Sequence, residues 1–226
     1  LDASGPGAVL NVDTGVYPLI YPVTISGAVD LGLGTEEGFT LRGPTDDATR
    51  PVLFTPAIPE ARPSALVELN DADYITLQNL TIEHAQRGLW AHNGSDYLNL
   101  EDITAYDHTL DSIRLETYSP DSIFDHLVVH DSRDSGIHLV GQIAGITESL
   151  AYDNDDYGMY LSSVGDAVVQ ASEVYGNLYG IYVSNSGVSA ATAVIGSEDV
   201  SLGRGNVVHE NLDYGISAAS PNVIIA

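Results

Sequence analysis

One short phrase governs the chain from about Asp73 to Ala219: a small residue, an apolar residue, any residue, then another apolar residue. It reads Gly88-Leu89-Trp90-Ala91, Ser112-Ile113-Arg114-Leu115, Gly136-Ile137-His138-Leu139, Gly158-Met159-Tyr160-Leu161, Gly180-Ile181-Tyr182-Val183 and Gly215-Ile216-Ser217-Ala218. The leading residues are 24, 24, 22, 22 and 35 positions apart. A strand, helix and crossover need about 30 residues or more, so this period excludes a βαβ unit. It suits one turn of a solenoid built from short strands and bends. Within each period the apolar residues alternate with period two, as strands require. Ile75, Leu77, Leu80, Ile82, Leu89 and Ala91 point inward in one coil, and Leu98, Leu100, Ile103, Ala105, Ile113 and Leu115 do so in the next.

The pattern divides the chain into two stretches of one elongated domain. Residues 1–72 read as irregular first coils, with strand-like runs such as Val23-Thr24-Ile25 and Phe39-Thr40-Leu41 bounded by Gly, Pro and Asp. Residues 73–226 read as regular coils. The spacing of 35 is a 22-residue coil plus 13, which predicts an insertion near 194–206. The chain stops at Val223-Ile224-Ile225-Ala226, partway into another apparent strand. We therefore expect a piece of a longer protein whose open coil ends invite end-to-end association.

The repeat resembles that of the right-handed parallel β-helix proteins of the pectate-lyase-like group. The likeness is strong over about residues 65–219, and the runs around Val23-Thr24-Ile25-Ser26-Gly27 and Phe39-Thr40-Leu41-Arg42-Gly43 resemble the first coils of such proteins. The resemblance implies an all-β, single-stranded right-handed parallel β-helix, a solenoid of 22–24-residue coils. It implies little about activity, because members cleave, epimerise, hydrolyse or only bind polysaccharides.

Charge narrows the partners. Thirty-two Asp and Glu face seven basic residues, all arginine, for a formal net charge of −25. Such a surface repels phosphate backbones and anionic lipid heads, so nucleic acid is not an expected partner. No apolar run approaches the roughly 18 residues of a membrane span, so membrane insertion is not expected either. The acidic, lysine-free composition suits a salt-rich or calcium-rich medium. Cysteine is absent, which removes disulfides, thiolate metal sites and a Cys nucleophile.

Stacking brings equivalent positions of adjacent coils to about 5 Å, so chemistry is sought down columns. The residue two after each glycine gives Trp90, Arg114, His138, Tyr160 and Tyr182. Aromatic faces, a guanidinium and an imidazole in a line make a candidate glycan platform; large outward residues that simply stack on one another are the other reading. A second column holds Asp107, Asp131 and Asp153, at spacings of 24 and 22, preceded by Glu83 or His84. With Asp155 beside them they form a candidate Ca2+ corner, or else solvated turn carboxylates. Asn154 and Asn211, four before their glycines, occupy the place where buried asparagines stabilise bends in β-helix proteins.

Two functions stay open. The leading one is a secreted or cell-surface module, a rigid spacer or adhesion domain binding polysaccharide or cell-surface glycan through its third-strand face. The alternative, implied by the resemblance, is a polyuronate lyase or epimerase in which Arg114 neutralises a carboxylate while His138 and Tyr160 serve as base and acid.

Overall fold

The computed structural model describes residues 7–26, 38–46, 49–56, 62–117, 121–141, 145–162, 167–184, 193–196, 205–219 and 223–225. Among these residues every regular element is a β-strand, and every strand pairing is parallel. An eight-stranded sheet stacks Val23–Ser26, Val67–Asn70, Leu89–His92, Ile113–Thr117, Ile137–Gly141, Tyr157–Ser162, Tyr179–Ser184 and Tyr214–Ala218, one strand per coil. A fifteen-stranded sheet carries the other two strand positions of each coil, folded around the core. The chain is thus a parallel β-helix, as the period required. The first coils share the same ladders: Val9–Asn11 pairs with Phe39–Arg42, and Val23–Ser26 with Val67–Asn70. The strands Ala193–Ile195 and Val207–His209 bracket the expected insertion, of which residues 197–204 lie outside the described residues.

The core is a set of apolar files. Leu77, Leu100, Phe124, Ile146 and Val169 lie over one another. Leu89, Ile113, Ile137, Met159 and Ile181 form a second file. All of them are buried, and each large aliphatic side chain contributes on the order of 2 kcal/mol relative to exposure. The two ends are less covered: Val16, Ile20 and Tyr21 in the first coil and Leu212, Tyr214 and Ile225 in the last are exposed.

One bend explains the recurring glycine and its exception. The buried Asn154 and Asn177 and the half-buried Asn211 form a ladder in which Asn154 Nδ2 donates to Asn177 Oδ1 at 2.9 Å and Asn177 Nδ2 to Asn211 Oδ1 at 3.0 Å. Asn177, three before its glycine and so displaced from the expected register, belongs to it. The ladder continues backward as Ser132 and His108, for Ser132 N–H donates to Asn154 Oδ1 and Ala85 N–H to His108 Nδ1. Gly88, Gly136, Gly158 and Gly180 each face the ladder residue of the following coil. A Cβ at Gly136 would fall 2.8 Å from each of Asn154 Nδ2, Gly158 O and Val129 Cγ2, and one at Gly158 would fall 3.0 Å from Gly180 O, 2.7 Å from Asn177 Nδ2 and closer still to Val174 Cγ1. Neither glycine has a positive φ, so close approach alone demands the missing side chain. Ser112 faces the small Ser132 instead, and the space admits its hydroxyl, which lies 2.6 Å from Ser132 Oγ and donates to Ala105 O at 3.0 Å.

Candidate functional site

The outer face of the eight-stranded sheet gathers the first column as expected. Cα register pairs Trp90 with Arg114, Arg114 with His138, His138 with Tyr160 and Tyr160 with Tyr182. Successive side chains touch: Arg114 Nη1 lies 3.3 Å from His138 Nδ1, and the His138 and Tyr160 rings meet edge-on at 4.6 Å.

Beneath this column lies a carboxylate that the repeat phrase does not single out. Asp111 immediately precedes Ser112, and its side chain is 1% exposed. Its Oδ2 is 3.5 Å from Arg114 Nη1 and 3.6 Å from Arg87 Nε, and its Oδ1 is 3.5 Å from His138 Nδ1. Burial by itself would raise its pKa, but His138, Arg114 and Arg87 together hold the carboxyl below its ordinary value. Arg114 also donates from Nε to Glu116 Oε1 at 2.8 Å. The signal available in the sequence was the broken glycine rule at Ser112, which marks the coil whose Asp111 and Arg114 meet Arg87 of the coil before and His138 of the coil after.

Trp90 is not an open platform. Its ring stacks on His92 at 4.0 Å, the Arg87 guanidinium carbon stands 5.1 Å from its centroid, and its Nε1 is buried. His92 is in turn held by Glu68 at 3.0 Å. The tyrosines also differ from the expectation of free aromatic faces. Tyr160 and Tyr182 stack at 5.3 Å with planes 6° apart. A neighbouring column, missed in the sequence, stacks Tyr157 on Tyr179 at 4.8 Å and Tyr179 on Tyr214 at 5.7 Å. The ring faces cover one another, so the two columns offer ring edges and phenolic hydroxyls. Burial first, and then Asp156, pushes the Tyr157 phenol up to about 12, so it remains a proton donor at neutral pH.

The acidic column forms at a turn. Asp107, Asp131 and Asp153 follow one strand position in successive coils and have φ of 60°, 53° and 52°, the left-handed region that Asp tolerates better than most residues. The register puts His84, and not Glu83, ahead of them. Their carboxylates turn to separate neighbours: Asp107 to His84 Nε2 at 2.6 Å, Asp131 to His130 Nδ1 at 2.6 Å, and Asp153 over Gly176. Asp155 is exposed beside them. Among the described residues no three His, Asp or Glu side chains converge as metal ligands. Asp107 and Asp131 are each engaged by a histidine instead.

Just before that turn runs an aromatic ladder that the sequence reading also missed: Tyr106, His130, Tyr152, Tyr175 and His209. Neighbouring centroids are 4.6–5.1 Å apart. An aromatic residue directly ahead of each turn acid was the legible sign. Tyr106 begins the stack with a short hydrogen bond from its hydroxyl to Glu83. On the same sheet a groove of about 290 Å3 is lined by Arg50, Thr81, Asp102, Thr104, His126, Val128 and Glu148. Its cations are matched: Arg50 donates to Asp102 Oδ1 at 3.0 Å, and His126 lies between Asp125 at 2.7 Å and Glu148 at 3.0 Å. The hydrogen bond to Asp125 raises the pKa of His126 above its ordinary value.

A solenoid of parallel coils with a chemically varied third-strand face defines a parallel β-helix protein. The family model for the right handed beta helix region matches residues 64–225, and the chain belongs to that family. Among solved structures, pectate lyase Pel9A is similar at 15% identity and a TM-score of 0.60, over 98% of this chain and 70% of that one. The A-module of Azotobacter vinelandii mannuronan C-5 epimerase AlgE6 matches at 17% identity and 0.43, over 98% of this chain and 62% of that one. The catalytic domain of a GH87 α-1,3-glucanase matches at 12% and 0.43, over 96% and 63%. The chain therefore spans less than two thirds of the epimerase module and the glucanase domain. At these identities the likeness establishes the fold. No curated protein matches the sequence.

Proposed function

We propose that the chain is a glycan-binding β-helix module, secreted or displayed at a cell surface, whose contact surface is the outer face of the eight-stranded sheet. The observation that carries this reading is the alignment of Tyr157, Tyr179 and Tyr214 beside Tyr160 and Tyr182, at centroid spacings of 4.8–5.7 Å along the solenoid axis. That repeat is close to the length of one sugar unit in an extended chain. A polysaccharide lying along the axis meets a phenol pair at two successive coils and Tyr214 beside Ser217 at the third, all able to donate and accept hydrogen bonds. The charged cluster at Asp111, Arg114 and His138 anchors one end.

The binding reading is preferred to lyase or epimerase chemistry because Arg114 is already held by carboxylates of the protein, Glu116 and Asp111. It is thereby withdrawn from the role of neutralising a substrate carboxylate. The test is affinity electrophoresis and calorimetry with neutral glucans and polyuronates. Tyr160→Ala and Tyr182→Ala should each weaken neutral-glycan binding about fivefold, from about 1 kcal/mol per lost hydrogen bond. Tyr152→Ala, on the other sheet, should leave binding intact. Release of an ultraviolet-absorbing unsaturated product, abolished by His138→Ala, would replace the binding module by a lyase.

A further inference from the structure

We propose that Glu116 is a built-in stand-in for an acidic sugar's carboxylate, seated on Arg114, and that it makes this face discriminate against polyuronates. The inference rests on the outer face of the eight-stranded sheet being the glycan surface, and it names the determinant of which glycans that surface accepts.

An arginine that recognises a uronate presents its fork to the incoming carboxylate, and the charge-assisted pair supplies the affinity. On this face the seat is filled from within the same strand. Glu116 stands two residues after Arg114, on the same side of the sheet, and takes the Nε proton at 2.8 Å. Asp111, buried below, draws Nη1 at 3.5 Å and the second guanidinium of the site, Arg87, at 3.6 Å. Two guanidiniums are thus matched by two carboxylates, and neither arginine is left free to attract an anion. The molecule's formal charge of −25 adds a repulsive background that only salt relieves. A polyuronate must displace Glu116 and leave that carboxylate without its partner, whereas a neutral hydroxyl can bind at the tyrosine columns without disturbing the pair. The seat is nevertheless within reach of solvent: the side chains of Arg114 and Glu116 are 26% and 36% exposed. Nor does the fold depend on Glu116 as it does on Asp111, which has 1% exposure. Removing the Glu116 charge should therefore open the seat and leave the coil standing.

The experiment compares the 226-residue chain with Glu116→Gln, Glu116→Ala and the double variant Glu116→Gln/Arg114→Gln. Binding of alginate, polygalacturonate and a soluble neutral glucan is measured at low and high salt, with thermal unfolding to confirm that each variant folds. The expected result is a gain of about tenfold in polyuronate affinity for both single variants, little change for neutral glucan, and loss of the gain in the double variant. Unchanged polyuronate binding by folded Glu116→Gln and Glu116→Ala would overturn the proposal, as would a gain that survives loss of Arg114. If the parent chain binds no neutral glucan yet Glu116→Gln gains polyuronate, the glycan-module reading fails and the role of Glu116 stands. If the parent binds neutral glucan and no single variant gains polyuronate, the proposal for Glu116 fails alone.

Discussion

Two outer columns of the same solenoid solve the same packing problem differently. On the fifteen-stranded sheet, Tyr106, His130, Tyr152, Tyr175 and His209 stack with planes no more than 12° apart from coil to coil. Each ring covers the next, and the column reads as a stabilising ladder. On the eight-stranded sheet the corresponding column passes from Trp90 through Arg114 and His138 to Tyr160 and Tyr182, over a buried Asp111. A buried ion cluster is weak evidence for stability, since well-packed apolar groups often do as well. In a fold where every coil can copy its neighbour, the column that departs from the simple repeat is the one on which the glycan-binding proposal rests.

The sharpest way to break this comparison is to remove Asp111. Asp111→Ala leaves Arg87 and Arg114 facing each other without their shared carboxylate, and loss of one partner from a buried pair costs about 3–5 kcal/mol. Asp153→Asn is the control in the turn column, where the side chain is exposed and Asn tolerates the same positive φ; it should change stability by no more than about 0.5 kcal/mol. Urea unfolding of the two variants measures both. Equal effects would mean that Asp111 is no more than another turn carboxylate.

The difference between the columns also shows what could be read from residues alone. The fold was legible because stacking preserves period: a 22–24-residue spacing of small-apolar-any-apolar phrases fixes which side chains lie above one another, and Trp90, Arg114, His138, Tyr160 and Tyr182 do lie in register. Asp111 was not legible, because nothing in a column rule says how far a side chain sinks or which neighbours fold over it. Trp90 looked like an exposed platform for the same reason; its cover comes from Arg87, just ahead of its strand, and from His92 on that strand. The aromatic ladder was hidden by attention to the acids that follow its rings, and Asn177 by a one-residue slip between coils.

A smaller effect separates the bend ladder from both columns. His108 fills a ladder position otherwise held by Ser132 and Asn side chains, and burial drives its pKa from the usual 6.5 to about 3, the backbone around Ile82 and Ala85 offsetting only part. The folded state therefore refuses a proton that the unfolded chain accepts below about pH 6.5. As pH falls from there towards 3, the unfolded state binds more protons and stability declines, by up to about 1.4 kcal/mol per pH unit for one such group. Asp111 acts in the same direction, because its lowered pKa gives stability that is lost as pH falls. The informative quantity is thus the difference between the parent and His108→Asn, which keeps a side-chain acceptor for Ala85 N–H. Chemical unfolding across pH 4–6 should show a shallower decline for the variant; parallel curves would mean that His108 takes a proton without unfolding.

The finest comparison lies within the ladder itself, between the coil that has serine at the bend and those that have glycine. At Gly136 and Gly158 the following asparagine crowds the place of a Cβ together with a core valine and the next coil's carbonyl, while at Ser112 the following residue is Ser132 and a hydroxyl fits. Bend and ladder positions are therefore coupled through one small volume. Ser132→Asn should push its amide against Ser112 and cost about 1–3 kcal/mol as an overpacked site. Ser112→Gly alone should cost about 1 kcal/mol, through loss of the hydrogen bond to Ala105 O and of the contact with Ser132 Oγ. The double variant recreates the pairing found at Gly136 and Asn154, so it should be more stable than the sum of the single effects predicts, with a coupling of about 0.5–3 kcal/mol. Additive effects in urea unfolding would show that the glycine is set by the chain's path through the bend and not by the residue it faces.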